Sequence, residues 1–197
     1  MPELQAARGA SLSTGRSATR LAFAVAALAL LLDLFSKQLA VHELTGRAPV
    51  AVFGDFLELR LVRNAGAAFS AGESLTPLIS AVAVVATLVV VYFALRVRHR
   101  LWAVGLGLLL AGVAGNLIDR IFRAPGPFRG HVVDFFALPN WPVFNVADMC
   151  IDLAGAMFVV LLIRGIRLDG TQHPHDARHA EPVPDEPVKD EPVKDEQ

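Results

Sequence analysis

The sequence predicts a mainly α integral membrane protein: four transmembrane helices with a small extracytoplasmic β-structure between helices 1 and 2. Three observations predict it. Hydrophobic residues make up 54% of the chain and charged ones only 19%, with a mean hydropathy of +0.48, which is more apolar than a soluble domain. The apolar residues gather in four runs, each close to the ~20 residues that cross a hydrocarbon core of ~30 Å. The charges sit mostly at the two ends and in the connections between runs. The net charge of -1 therefore gives no argument for a nucleic-acid partner.

Residues 1–19 are small, polar and weakly basic, and are expected to form a disordered cytoplasmic N-terminus. A membrane domain is expected over 20–167, with its first span at about 21–41. That span reads as uncleaved, because no small-residue cleavage pattern follows it. Asp33 and Lys37 lie inside it at i and i+4, on one face, where they can pair. An outer β-region is expected at about 48–70. There Leu57-Glu58-Leu59-Arg60-Leu61 alternates with the period of a half-buried strand, and Gly54-Asp55 and Asn64-Ala65-Gly66 supply turns. The second span, about 77–95, carries no charge. The third, about 101–119, is rich in glycine (Gly105, Gly107, Gly112, Gly115), as where helices approach closely. The connection 123–142 contains Pro125-Gly126-Pro127 and Pro139-Asn140 and is expected to be irregular. The fourth span, about 143–163, carries Asn145, Asp148 and Asp152.

Arg16 and Arg20 precede the first span, Arg96, Arg98 and Arg100 separate the second from the third, and Arg164 and Arg167 close the fourth. By the positive-inside rule both termini and the 96–100 loop face the cytoplasm. From 168 to 197 the chain is charged and proline-rich, with Glu186-Pro187-Val188-Lys189-Asp190 repeated at 191–195. Such a segment cannot bury a core and is expected to be disordered. The single cysteine, Cys150, excludes a disulfide framework and a cysteine-rich metal site.

An ionisable side chain within a membrane span costs roughly 2.5–3.5 kcal/mol on insertion scales, so such residues are functional candidates. Here they gather at one boundary. Asn116, Asp119 and Arg120 end the third span, Asp134 follows in the next connection, and Asn145 and Asp148 open the fourth. Asp134 is bracketed by Val132, Val133, Phe135 and Phe136, a setting that raises a carboxylate's pKa by desolvation. Two carboxylates held together share a proton: one is a base toward water, the other an acid toward the leaving amine. That is aspartic-peptidase chemistry, and it needs no cofactor or metal. Serine catalysis fits less well, since no GxSxG motif occurs.

Spacing alone leaves other roles open. Asp119–Arg120 can be an interfacial charge pair, Asp33–Lys37 a structural ion pair, and Asp152 either a buried hydrogen-bonding residue or a modulator of Asp148. A small ion or proton transporter also uses intramembrane acids, but it predicts polar residues through the full depth of the membrane.

Five segments together are similar to the motifs of bacterial lipoprotein signal peptidases. They are Asp33-Leu34-Phe35-Ser36-Lys37, Arg63-Asn64-Ala65-Gly66-Ala67-Ala68-Phe69-Ser70, Asn116-Leu117-Ile118-Asp119-Arg120, Val132-Val133-Asp134-Phe135 and Phe144-Asn145-Val146-Ala147-Asp148. The resemblance spans roughly 20–165. It implies a signal peptidase II with catalytic Asp134 and Asp148, Asn64, Gly66, Asn116, Asp119, Arg120 and Asn145 lining or bracing the site, and Asp33 and Lys37 supporting it. It further implies diacylglyceryl-modified prolipoproteins as substrates, cut just before the lipidated cysteine, and sensitivity to globomycin. The expected setting is the bacterial cytoplasmic (inner) membrane, with the site near the outer leaflet and the protein a monomer. The chain departs from the motifs in a longer connection between Arg120 and Val132 and in Met149; Asp152 lies beyond the motifs, and the repeat tail has no counterpart in them.

Overall fold

A computed structural model describes residues 2–66 and 75–171. In chain order the elements are α1 (Pro2–Leu44), β1 (Val50–Phe53), β2 (Leu57–Asn64), α2 (Thr76–Ala94), α3 (Arg100–Phe122), β3 (Val132–Ala137) and α4 (Val146–Ile163). All four helices contain a window long and apolar enough to cross a membrane.

α3 is the central helix. Half of its apolar window is buried, against 17% for α2, and α1, α2 and α4 all pack on it. Small residues make this possible. A Cβ on Gly107 would lie 2.5 Å from the Ala22 carbonyl oxygen, and one on Gly112 2.5 Å from the Ala147 carbonyl oxygen. Without those side chains α1 and α4 approach the α3 backbone directly, and van der Waals packing drives association where lipid offers no hydrophobic gain. At the arginine-rich end Ala18, Ala22, Ala26, Ala94, Ala103 and Leu106 form a core. The outward faces keep large apolar side chains exposed, such as Leu28 at 73% and Ile163 at 80%, as a lipid-facing surface requires.

The sheet is antiparallel in the order β1-β2-β3. β2 pairs with β3 through Glu58↔Ala137, Leu59↔Phe136, Val62↔Asp134, Arg63↔Val133 and Asn64↔Val132. An isolated bridge, Phe136↔Phe144, then ties β3 to the entry of α4. Val133 and Phe135 pack on Ala40 and Leu44 of α1, so the sheet rests on the C-terminal end of the first span.

Three expectations are corrected. The connection 123–142 is not irregular throughout, because it supplies β3. That strand is buried on nearly all positions of both faces, so it reads as a continuous Val/Phe run rather than an alternation. The N-terminal segment expected to be disordered over 1–19 is helical from Pro2, continuous with the span; proline is tolerated in a first turn, and Ala, Leu, Gln and Arg propagate the helix. Residues 168–171, placed in the tail by the sequence, are described, and Leu168 packs on the bundle. The Leu168 carbonyl accepts from Arg98 N and His99 N, and Trp102 Nε1 donates to the Ile166 carbonyl. Residues 67–70 of the expected β-region and 172–197 of the tail lie outside the described residues.

Close approach at Gly112 has a measurable consequence. Gly112→Ala is expected to lower unfolding stability by about 1–3 kcal/mol through overpacking. Gly155→Ala, where a Cβ meets nothing within 4 Å, is expected to be neutral or slightly stabilising. Denaturant unfolding in detergent micelles distinguishes the two.

Candidate active site

α4 begins at a polar cluster. Asn145 caps it, its side-chain oxygen accepting from Asp148 N at 3.0 Å, while Asp148 Oδ2 accepts from Asn145 N at 3.1 Å. This reciprocal capping box satisfies two otherwise orphaned donors. It also fixes the Asp148 carboxylate, whose other oxygen accepts from Asn116 Nδ2 of α3 at 2.8 Å.

Asp134 is 2% exposed, on β3. Asn145 Nδ2 donates to its Oδ1 at 2.6 Å, and Asn64 Nδ2 of β2 donates to its Oδ2 at 2.9 Å. One asparagine, Asn145, therefore holds both aspartates. Burial pushes the Asp134 carboxyl up to about 6. The Asn64 bond opposes that, the Asp148 charge adds to it, and Asn145 and Lys37 oppose it.

Beneath the pair lies a buried ion cluster. Lys37 Nζ, fully buried, contacts Asp33 Oδ2 at 2.9 Å and Asp119 Oδ2 at 3.1 Å. It also donates to Asn116 Oδ1 at 2.9 Å. Asp33 Oδ1 accepts from Ala147 N of α4 at 2.9 Å. Asp119 Oδ2 accepts from Val133 N of β3 at 3.1 Å, and its Oδ1 pairs with Arg123 Nε. The i,i+4 pair Asp33–Lys37 is thus an ion pair linked directly to α3 and α4 and, through Asp119, to β3. Asp119 does not pair with its neighbour Arg120.

Arg120 is 8% exposed, and its Nη1 has no hydrogen-bond partner among the described residues. Its charge faces Asp134, Asp119 and Asp148. Gly66 lies over it: a Cβ there would sit 3.7 Å from Arg120 Nη2 and 2.6 Å from Ile79 Cδ1. Gly66 has φ +97 and donates its N–H to Asn64 Oδ1 at 2.8 Å, so a glycine is needed both for the turn and for the space.

All ten sequence-derived residues therefore converge. The sequence reading missed Arg123 and two backbone donors, Ala147 N and Val133 N. Arg123 carried a signal, since it stands four residues after Asp119 on a helical continuation. The backbone donors carried none, because they depend on how α1, α3 and α4 meet. Asp152, left open above, is exposed on α4 rather than buried.

A family model described as Signal peptidase (SPase) II matches residues 25–164. The chain belongs to the signal peptidase II family. It is similar to the lipoprotein signal peptidases of Streptomyces coelicolor (46% identical, covering 81% of this chain and 78% of that one) and Rhodococcus jostii (48%, covering 77% of each). Its fold resembles a solved structure described as a bacterial membrane enzyme obtained by the in meso method. That match has a TM-score of 0.64 at 23% identity and covers 73% of this chain and 92% of that chain. Membership makes the chain a membrane peptidase, a hydrolase with signal peptidase activity.

Removing the buried cation tests the frame. Lys37→Ala leaves Asp33 without its cation and Asp119 with Arg123 alone, and is expected to cost about 3–5 kcal/mol. Glu43→Gln, in the exposed pair with Arg47, is expected to leave the unfolding midpoint unchanged. Thermal unfolding of the two purified variants provides the comparison.

Proposed function

We propose that the protein is an aspartic endopeptidase of the bacterial cytoplasmic membrane that removes signal peptides from diacylglyceryl-modified prolipoproteins, cutting just before the lipidated cysteine. The observation that carries this reading is the pair of aspartates, Asp134 and Asp148, held by one asparagine at the outer end of a helix bundle. Lipid anchors the substrate's cysteine in the bilayer while its peptide bond has to meet water, and a carboxylate pair at the boundary suits both.

The proton inventory assigns the roles. Asp134, pushed up to about 6 by burial, holds the shared proton. Asp148 takes a proton from water, and the hydroxide adds to the scissile carbonyl carbon as Asp134 protonates the carbonyl oxygen. When the diol collapses, Asp148 gives its proton to the departing nitrogen and Asp134 recovers one from the diol hydroxyl. Atoms and charge balance, and neither a metal nor a covalent intermediate is used. Arg120 offers an uncommitted N–H to the substrate's oxygens, and electrostatic stabilisation of that kind is worth most in a dry site. Asn64, Gly66, Asn116, Asp119, Asn145, Asp33 and Lys37 hold the geometry. The arginine-rich end faces the cytoplasm with both termini, and the sheet faces outward. The protein acts as a monomer.

Asp134→Asn and Asp148→Asn are each expected to lower kcat by at least about 10²-fold, with folding preserved, when the purified protein is given a diacylglyceryl-modified precursor. Near-normal turnover by either variant sinks the dyad. Equal cleavage of unlipidated precursor sinks the lipid requirement. Because Asp134 acts in its protonated form, kcat/KM is expected to fall as pH rises through about 6, the apparent value belonging to the coupled pair.

A further inference from the structure

An asparagine beside a carboxyl group has two directions open to it. With its amino group forward it donates; turned by a half rotation it presents an oxygen instead. Asn64 donates from Nδ2 to Asp134 Oδ2 at 2.9 Å. Its Oδ1 accepts from Gly66 N at 2.8 Å, a bond that only the oxygen can make. The direction of the Asn64 amide therefore depends on the peptide group between Ala65 and Gly66, which carries that N–H.

This peptide group stands where the backbone turns easily. Gly66 has φ +97 and no side chain to resist rotation of the peptide plane. A half rotation would carry the N–H away from Asn64. The carbonyl end is held from another element. Thr76, the first residue of α2, is fully buried, and its hydroxyl donates to the Ala65 carbonyl at 2.6 Å across eleven positions of sequence. α2 itself has no side-chain cap at its N-cap Leu75, so the Thr76 hydroxyl is committed to the turn rather than to its own helix. One line of hydrogen bonds thus runs from the Thr76 hydroxyl through the Ala65–Gly66 peptide and the Asn64 amide to Asp134. Every donor in it points toward the carboxyl, the sense in which such bonds polarise one another.

We infer that Thr76 is a positioning residue for the aspartate pair: its hydroxyl latches the Ala65–Gly66 peptide and so fixes the direction in which Asn64 meets Asp134. The inference rests on the aspartate-pair chemistry given under Proposed function. The Asn64 bond opposes the upward push of burial on Asp134, so releasing the latch raises the pH at which that proton leaves. The charges facing Asp134 are Asp148 from α4, Lys37 from α1 and Arg120 from α3. α2 carries no charged residue, so a change at Thr76 alters none of them.

The test follows cleavage of a diacylglyceryl-modified precursor by the full-length protein across pH. Thr76→Val keeps the shape and removes the donor. It is expected to lower kcat by about 3- to 10-fold, the scale of one hydrogen bond, with KM unchanged within about twofold. Its fall in kcat/KM with rising pH is expected to move upward by about half to one pH unit. Thr76→Ser retains the hydroxyl and is expected to restore both properties. In an Asn64→Ala background Thr76→Val is expected to change kcat by less than about twofold, because the latch then has nothing to orient. Ser80→Ala is the packing comparison: Ser80 is also fully buried on α2, and its hydroxyl bonds the Phe128 carbonyl, outside the line. It is expected to lower the unfolding midpoint and leave the pH profile in place. Should Thr76→Val fail to fold, Thr76→Ala replaces it with the same expectations. An unmoved pH profile, a Thr76→Ser variant that behaves like Thr76→Val, or losses that simply add to those of Asn64→Ala overturn the inference. So does a Ser80→Ala profile displaced as far as that of Thr76→Val. An unaltered protein that leaves the precursor whole, or an Asp134→Asn variant that cuts it normally, counts against the peptidase reading instead, so the two failures are distinguishable.

Discussion

The buried ammonium of Lys37 is the contact on which the site depends. It is fully buried and touches Asp33, Asp119 and Asn116, and those lead onward to α4 and β3. Asp33 accepts from the backbone of α4 at Ala147. Asp119 accepts from β3 at Val133, one residue before Asp134. Asn116 donates to Asp148. A single cation on α1 thus sets the positions of both aspartates without contacting either. Breaking a buried pair of this kind costs more than making it contributes, because the stranded charge stays buried. The arrangement is accordingly a constraint on geometry more than a source of stability.

Charge counting gives the same result from another direction. The site holds four carboxylates, Asp33, Asp119, Asp134 and Asp148, and three cations, Lys37, Arg120 and Arg123. With one proton on Asp134 the cluster is neutral. The remaining contacts to the aspartates come from Asn64, Asn116 and Asn145. Amide donors orient a carboxylate without supplying the full charge that would fix it as an anion. An arginine or lysine bonded directly to Asp134 would favour its ionised form and remove the proton that the proposed chemistry needs.

The spans were legible because the membrane makes a strong demand on composition: α2 and α3 begin and end within a few residues of the runs read from hydropathy. The clustering of the candidate site residues was legible because ionisable groups in a span are few, and these gather at one boundary. β3 was not, since Pro125-Gly126-Pro127 and Pro139-Asn140 mark its flanks as loop, and a strand buried on both faces shows no alternation. Nor was the hub role of Lys37. The i,i+4 spacing pairs it with Asp33, but its bonds to Asn116 and Asp119 cross 79 and 82 positions of sequence and exist only because Gly107, Gly112 and Gly115 let the helices close. Spacing reads local pairs well and long-range ones hardly at all.

The sheet explains why a site at the membrane boundary can be rigid. Its strands come from two separate connections, β1 and β2 between the first two helices and β3 between the last two. Pairing β2 with β3 crosses the bundle and sets Asn64 beside Asp134. The bridge from Phe136 to Phe144 then carries that register into the cap of α4, where Asn145 joins the two aspartates. Loops alone would leave the pair free to drift, and a shift of about 1 Å in reacting groups costs on the order of 100-fold in rate. A ladder of backbone hydrogen bonds on one side and an ion cluster on the other hold the carboxylates from both directions.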